Sequence, residues 1–281
     1  MLVLSIFHGA DLFGRGFEQE GFCVVRAAEI ELGFDIRNFS PVKHKFDGII
    51  AGTPCQDFSR ARRSEPTGEG LEMLKQFARL VTEAAPEWFL LENVPTVPDI
   101  EIENYKIQRF DLNAKECGLK QNRLRHFQFG TTTGVQLWIE REYAAKSQFE
   151  PCCMASEGKK GTRRSFADFC ELQGLPRNFK LPMLSIAKNY QVVGNGVAVP
   201  MARMIAKSIR RQITPAHHIF SPDDHTFCQD DHTLNCVSTS EKSSRAVTLC
   251  ICGCGRRITG RQKSANAACR KRLERKRKTA A

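Results

Sequence analysis

The segment GIIAGTPCQ at residues 48–56 combines a short apolar run with an abrupt polar turn. An apolar run bounded by glycine and proline predicts a buried strand that ends just before Pro54. A second apolar run, WFLLENV at 88–94, lies further along the chain. Between the two runs, apolar residues recur at helical spacing and predict a helix whose core face holds Leu71, Leu74, Phe77, Ala78 and Val81. Two strands joined by a helix are typical of a parallel sheet.

The same alternation of apolar runs and helical patterns extends on both sides of this unit, up to about residue 212. Strands are predicted at 2–7, 23–29, 48–53, 88–94, 106–111 and 126–130, and a further helix at 199–209. The predicted fold class is therefore α/β, a mostly parallel sheet with helices on its faces. Residues 213–249 are predicted to form a polar linker, and residues 250–281 a cysteine-rich, basic tail.

The composition favours an intracellular protein that meets a polyanion. The chain has 281 residues, 42 Lys and Arg against 31 Asp and Glu, and a net charge of +11. Such an excess of positive charge favours nucleic acid as a partner, although a basic enzyme without one has the same composition. No apolar stretch approaches the roughly 20 residues needed to cross a bilayer. Scattered cysteines without a secretory leader indicate reduced thiols and a cytoplasmic location.

Polar side chains follow two of the predicted strands at the point where each strand ends. Cys55 comes directly after the strand at 48–53, and Glu92 and Asn93 close the strand at 88–94. Ligands of open α/β sheets bind beyond the carboxyl ends of the strands, so these side chains are candidates for a functional site. An ordinary buried cysteine and a hydrogen-bonded structural glutamate are the alternatives.

Three further segments add polar or glycine residues to the same edge. The first strand runs into a glycine turn at Gly9, and Glu29 follows twenty positions later, a spacing that suits a carboxylate on ribose hydroxyls. QNRLR places Arg123 and Arg125 two residues apart, where both side chains of a strand point to one side. GNGV places Asn195 between two glycines ahead of a helix. Taken singly, each segment also fits a plain turn or a solvated surface.

In this order, the glycine loop, PCQ, ENV, QNRLR and GNGV resemble the motif series of the DNA cytosine-5 methyltransferases. The resemblance covers residues 1 to about 212 and is greatest to the compact enzymes of phages and prophages, including those of restriction-modification systems. It implies a Rossmann-like sheet that binds S-adenosylmethionine, with helices on both faces. It also implies methyl transfer to carbon 5 of a flipped-out cytosine in double-stranded DNA, by a monomeric enzyme.

The resemblance assigns roles to particular residues. Cys55 is the implied nucleophile, Glu92 the residue on the cytosine ring, and Arg123 and Arg125 the residues that hold the base and the catalytic loop. The implied cofactor pocket comprises Phe7, Gly9, Ala10, Glu29, Ile30, Asp35, Ile36, Pro54, Asn195 and Val197. The chain departs from the family pattern in the first loop, where Asp11 and Leu12 replace a glycine pair and Ser5 replaces an acidic residue. We still expect the cofactor to bind.

The remaining segments bear on target choice and on metal. Only residues 131–163 are available as a recognition insert, which predicts a short or relaxed target sequence because base reading needs several ordered side chains. The tail offers four thiols, the number a closed zinc site requires, at Cys250, Cys252, Cys254 and Cys269. Structural zinc and free thiols in a basic tail both fit this spacing. The run RKRLERKRK predicts nonspecific phosphate contacts.

Two other functions fit the same sequence. An RNA cytosine-5 methyltransferase is one, because a relative of this family acts on transfer RNA and a small insert suits a folded substrate. A DNA-binding protein without catalysis is the other, since the altered first loop lies in the cofactor site. Comparison of DNA and RNA as methyl acceptors separates the first, and titration with the cofactor separates the second.

Overall fold

The computed structural model describes residues 1–213 apart from 28–29, 31–32, 60–61, 63, 144–147, 160–163 and 183, together with two short strands beyond them. The helices are α1 (Leu12–Glu18), α2 (Glu69–Ala84), α3 (Phe166–Leu172), α4 (Ile186–Asn195) and α5 (Val199–Gln212). The strands are β1 (Leu2–Ile6), β2 (Cys23–Arg26), β3 (Gly48–Gly52), β4 (Trp88–Asn93), β5 (Lys106–Asn113), β6 (Gln121–Asn122), β7 (Leu124–Thr131), β8 (Glu150–Pro151), β9 (Thr248–Leu249) and β10 (Arg257–Ile258). The chain divides into two compact units, Met1–His218 and Ile219–Ala281.

The first unit is built on a sheet of six strands in the order β2-β1-β3-β4-β7-β5. Neighbours from β2 to β4 pair in parallel, whereas β7 pairs antiparallel with both β4 and β5. The α/β prediction is confirmed, with one strand reversed. The reversal follows from the short connection between β5 and β7, because a parallel return needs a crossover of a dozen residues or more.

Helices cover both faces of this sheet, so the central strand β4 is buried throughout. Trp88 and Leu90 belong to the core cluster that contains buried residues of α1 and α5. Phe89 and Leu91 belong to the opposite cluster, which contains the buried face of α2. A strand covered on both sides is apolar on both faces, and this explains the uninterrupted apolar run from Trp88 to Leu91 that predicted it.

Close packing of α1 on α5 fixes the loop that precedes α1. A Cβ atom at Gly16 would lie 2.5 Å from Ala202 Cβ and 2.6 Å from the backbone nitrogen of Arg203. Only glycine allows this approach without a backbone shift. The loop between β1 and α1 is thereby held over the carboxyl ends of the neighbouring strands.

Some details of the sequence prediction need correction. The second strand ends at Arg26, three residues before its predicted end. Leu71 is not in the core, since 52% of its surface is exposed. It lies beside the buried stripe of α2, which consists of Gly70, Met73, Leu74, Phe77, Leu80, Val81 and Ala84. The last sheet strand begins at Leu124, two residues before the predicted start. Among the described residues, no helix combines the length and apolar character needed to span a bilayer.

The described part of the insert at 131–163 contacts β5, α5 and β6. Leu137 is buried, and its backbone N–H donates to Gln108 Oε1 at 2.6 Å. The backbone N–H of Trp138 donates to Gln212 Oε1 at 2.9 Å, and β8 pairs with β6. These contacts fix the insert at Leu137, Trp138 and β8, while most of its described side chains are exposed.

Candidate active site

A cavity of about 270 Å³ opens at the carboxyl ends of β1, β3 and β4. The segments that follow these strands supply much of its lining, and α4 and the turn after it supply another wall. Cys55, Glu92 and Arg125 all line it, so the structure brings together three of the four predicted catalytic residues. The edge of the sheet that the sequence singled out is the edge that carries the cavity.

Cys55 lies in a turn directly beyond β3. Thr53, two residues before Cys55, is fixed to β4. The side-chain amide of Asn93 donates to the carbonyl of Thr53 at 3.1 Å and to its hydroxyl at 2.9 Å. The Cys55 carbonyl accepts from the backbone N–H of Phe58 at 3.0 Å, which closes the turn. The thiol is a free, half-buried cysteine at the cavity wall.

Glu92 and Arg125 form a buried ion pair beside this thiol. Arg125 Nε lies 2.9 Å from Glu92 Oε1, and the two side chains are 14% and 7% exposed. Glu92 is the last residue but one of β4, and Arg125 lies near the start of the antiparallel strand β7. Because β7 lies next to β4, it directs the guanidinium toward the carboxyl ends of the parallel strands.

Burial dominates the electrostatics of the site. It raises the pKa of the Cys55 thiol; the Glu92 carboxylate acts in the same direction, and Arg125 and Arg123 oppose both. Burial also raises the pKa of Glu92, although the two arginines favour its charged form. The site therefore favours a neutral thiol and makes protonation of Glu92 easier than in water.

Arg123 has different partners from Arg125, although the sequence placed them on one side. Arg123 lies in the chain between β6 and β7. Its side chain is fully buried and does not line the cavity. One guanidinium nitrogen donates to the carbonyls of Gly194 and Gly196 at 2.9 and 2.8 Å, and the other donates to the carbonyl of Cys153 at 2.9 Å. Arg123 thus holds the C-terminal end of α4, which carries Asn195.

Most of the predicted cofactor residues line the same cavity, namely Phe7, Gly9, Ile30, Asp35, Ile36, Pro54, Asn195 and Val197. Ala10 does not; it is buried in a core cluster behind the loop. Glu29 lies outside the described residues. Gly9 adopts φ +54°, and a Cβ atom there would meet nothing within 4 Å. The open backbone at Gly9, apolar walls and a few polar groups fit a nucleoside-type ligand such as S-adenosylmethionine.

Asp35 is already engaged by its neighbour in the chain. Its carboxylate accepts from the backbone N–H of Arg37 at 2.9 Å and pairs with the Arg37 guanidinium at 3.1 Å. These contacts hold the pKa of Asp35 below its usual value, with the backbone hydrogen bond as the largest cause. Asp35 lines the cavity as the cap of the short helical turn Ile36–Asn38.

The unusual first loop is explained by Asp11. Its φ of +49° lies in the left-handed region that favours glycine and that aspartate tolerates better than most residues. Asp11 Oδ1 accepts from the Ser5 hydroxyl and from the backbone N–H of Gly14, both at 2.9 Å. Oδ2 lies 2.5 Å from Arg26 Nε. The loop therefore keeps a buried carboxylate. It belongs to Asp11 and contacts Ser5, which stands where the family pattern has an acidic residue.

Several lining residues were not found from the sequence: His8, Phe34, Arg37, Glu69, Met73 and Gln191. Gln191 lies one helical turn before Asn195 on α4, so the GNGV segment was the available signal for it. The four tail cysteines lie outside the described residues. Within the described part of the chain, no cluster of three or more His, Cys, Asp or Glu side chains is arranged to hold a metal ion.

Comparisons with known proteins agree with this geometry. The family model for C-5 cytosine-specific DNA methylases matches residues 1–152 and 140–211. The type II methyltransferase M.FnuDI of Fusobacterium nucleatum is 22% identical, over 78% of this chain and 97% of its own length. M.HindV of Haemophilus influenzae is 29% identical over 44% of this chain, and the match spans about half, 51%, of that relative.

A solved structure shows the same fold. The methyltransferase EhMeth of Entamoeba histolytica superimposes with a TM-score of 0.55 at 12% identity, over 75% of this chain and 98% of the other. The family model covers well over half of the 281 residues and includes every segment that lines the cavity. The chain belongs to the C-5 cytosine-specific DNA methylase family.

Proposed function

We propose that this chain methylates carbon 5 of cytosine in double-stranded DNA, with Cys55 as a covalent nucleophile. The observation that carries the proposal is the meeting of the Cys55 thiol with the buried Glu92–Arg125 pair at the wall of one cavity. The other walls of that cavity carry eight of the residues expected to bind S-adenosylmethionine.

The role of Cys55 follows from the weak reactivity of the cytosine ring. The sulfur anion adds to carbon 6, and the ring electrons move toward nitrogen 3, which makes carbon 5 nucleophilic. The bound cofactor supplies an electrophilic methyl group. Loss of the carbon 5 proton then restores the 5,6 double bond and expels the sulfur, so the enzyme is regenerated. Because burial raises the pKa of Cys55, deprotonation must accompany entry of the base and closer approach of positive charge.

Glu92 and Arg125 stabilise the charge that develops on the ring. A protonated Glu92 donates to nitrogen 3 as the thiolate adds, and recovers that proton when the sulfur leaves. The raised pKa of Glu92 supports this role, since burial makes protonation of the carboxylate easier than in water. Arg125 holds the carboxyl group in place at 2.9 Å and brings a positive charge to the cavity wall beside it.

The substrate base must leave the double helix. Cys55 is half-buried in a cavity, and a stacked cytosine cannot reach it, so extrusion at a cost of a few kcal/mol is required. The insert spans only residues 131–163, and base reading needs several ordered side chains. This supports a short or relaxed target sequence.

The tail adds a proposal of its own. Four thiols within residues 250–269, followed by a basic run, suit a structural zinc site that holds a phosphate-binding end against DNA. Catalysis by Cys55 needs no metal, so removal of zinc is expected to weaken DNA binding and leave the chemistry intact.

Mapping of modified cytosines tests the proposal directly. DNA from cells that express the chain should show methylated cytosines in bisulfite sequencing, at a short degenerate motif, and DNA from cells that express Cys55→Ala should not. Unmodified DNA accompanied by methylated RNA would replace the DNA assignment by an RNA one. A long strict consensus would contradict the predicted relaxed specificity.

A further inference from the structure

The carboxylate of Asp57 is a hub of hydrogen bonds two residues after the proposed nucleophile. Oδ1 accepts from the backbone N–H of Thr67 at 3.0 Å and from the Thr67 hydroxyl at 3.1 Å. Oδ2 accepts from the backbone N–H of Gly70 at 2.9 Å. The guanidinium of Arg62 pairs with Oδ1. The Asp57 side chain is only 4% exposed, so the carboxylate interacts with these groups instead of with water.

Asp57 completes the start of α2. The first N–H groups of a helix lack partners within it, and Gly68, the residue at the N-cap, has no side chain to offer one. Asp57 supplies the acceptor for Gly70, the second residue of the helix. A Cβ atom at Gly70 would lie 2.9 Å from Asp57 Cβ, so glycine permits the contact. Both ends of the loop at 57–67 are tied together at this point.

The same residue lies on the turn that carries Cys55. Phe58 closes that turn through its backbone N–H, and its ring packs against the core cluster of α2. The Thr96 hydroxyl donates to the Phe58 carbonyl. Before the thiol, Asn93 holds Thr53. The Cys55 turn is therefore fixed on one side by β4 and on the other by the Asp57–Phe58 pair.

We propose that Asp57 is a positioning residue that holds the Cys55 turn against α2 and so sets the place of the thiol beside Glu92. The proposal rests on the function proposed above for Cys55. Asp57 itself does not line the cavity and touches neither base nor cofactor there. The N–H groups of Gly70 and Thr67, together with Arg62, hold its pKa well below the usual value, so the acceptor form persists at neutral pH.

The test measures alkylation of Cys55 in Asp57→Ala and Asp57→Asn. Iodoacetamide modification is followed by mass spectrometry of the Cys55 peptide in the full-length protein, and limiting rates at high pH remove any effect of charge on thiol ionisation. Cys117 and Cys153, both buried, serve as internal references. Asp99→Asn is the matched control, because Asp99 is an exposed carboxylate that pairs with Arg109 and does not line the cavity.

We expect the Cys55 rate to rise about tenfold in Asp57→Ala, the effect of losing one or two net hydrogen bonds, with unchanged rates at Cys117 and Cys153. Asp57→Asn keeps one acceptor oxygen and should lie between Asp57→Ala and the native protein. The turnover number should fall about tenfold or more, and cofactor affinity should stay within twofold, since misplacement of the reacting group affects the chemical step.

An unchanged Cys55 rate in both variants would overturn the proposal. Equal acceleration at all three cysteines would also overturn it, because Asp57 would then support the fold in general. Asp57→Asn tests the proposal even if the alanine variant does not fold. If the native protein methylates no cytosine at all, the alkylation rates still report on the turn, so failure of the function and failure of the positioning role remain distinct.

Discussion

Replacement of Asp11 by glycine tests whether the unusual first loop depends on its buried carboxylate. Asp11 is 3% exposed and accepts from the Ser5 hydroxyl and the Gly14 N–H at 2.9 Å each. A hydrogen bond to a charged group contributes about 1.5–3 kcal/mol. The bond to Gly14 is an N-cap bond, and replacement of an aspartate N-cap by glycine costs only a few tenths of a kcal/mol. The lost contact with Ser5 therefore accounts for most of the expected loss of stability.

Two effects reduce this loss. Relief of the left-handed backbone at φ +49° returns about 1 kcal/mol when glycine replaces aspartate. The ion pair with Arg26, whose side chain is 39% exposed, contributes little because water screens it. The expected net loss for Asp11→Gly is therefore about 1–2 kcal/mol in the free energy of unfolding, since Ser5 is left buried without its partner.

Urea unfolding of the full chain measures this difference, and calorimetric titration with S-adenosylmethionine measures its effect on the loop. Asp11→Asn is the matched variant, because asparagine tolerates the same backbone and keeps one acceptor; it should lose less than Asp11→Gly. The double variant Ser5→Asp, Asp11→Gly returns the carboxylate to the position the family uses, and should recover part of the loss. If Asp11→Gly is as stable as the native chain, backbone strain outweighs the Ser5 contact and the explanation is wrong.

Three other perturbations address the chemistry and the tail. Glu92→Gln keeps the shape beside Arg125 but removes the acidic proton, so methyl transfer should slow by about 10²–10³ with cofactor affinity unchanged, and a near-native rate would remove Glu92 from the mechanism. Burial raises the pKa of Cys55, so the thiolate is scarce at neutral pH. The single-turnover rate of methyl transfer should therefore increase from pH 7 toward pH 9, as long as Glu92 keeps its proton. A rate that already falls between pH 7 and pH 8 would contradict this. Deletion of residues 250–281 should lower the affinity for DNA and reduce the dependence of that affinity on salt. Metal analysis of the purified chain should find zinc, and the deletion should remove it. If affinity and its salt dependence are unchanged, the tail has no role in binding.

Short-range sequence signals predicted the edge of the sheet and much of the site. Cys55 follows β3 and Glu92 lies at the end of β4, and both strands are apolar because helices cover both faces of the sheet. Their place at the cavity could therefore be predicted from neighbouring residues. The glycine pair of GNGV marked the connection before α5, but the sequence did not show that Asn195 itself ends helix α4.

Contacts between distant segments decided what the sequence could not show. The reversal of β7 depends on pairing with β4 and β5, and it leaves Arg125 in the cavity while Arg123 reaches the carbonyls of Gly194 and Gly196. Gln191 enters the cavity only because α4 packs beside the first loop. The Asp57 hub joins positions ten or more residues apart through backbone N–H groups, which leave no mark in the amino-acid pattern.

Covalent capture of a DNA duplex that contains 5-fluorocytosine tests the role of Cys55 most directly. Fluorine at carbon 5 cannot leave as a proton does, so sulfur stays bonded to carbon 6 once the ring is methylated. With S-adenosylmethionine present, the native chain should form a complex stable to denaturing electrophoresis, linked through the peptide that contains Cys55. Absence of such a complex, or its formation by Cys55→Ala, would contradict nucleophilic attack by this thiol.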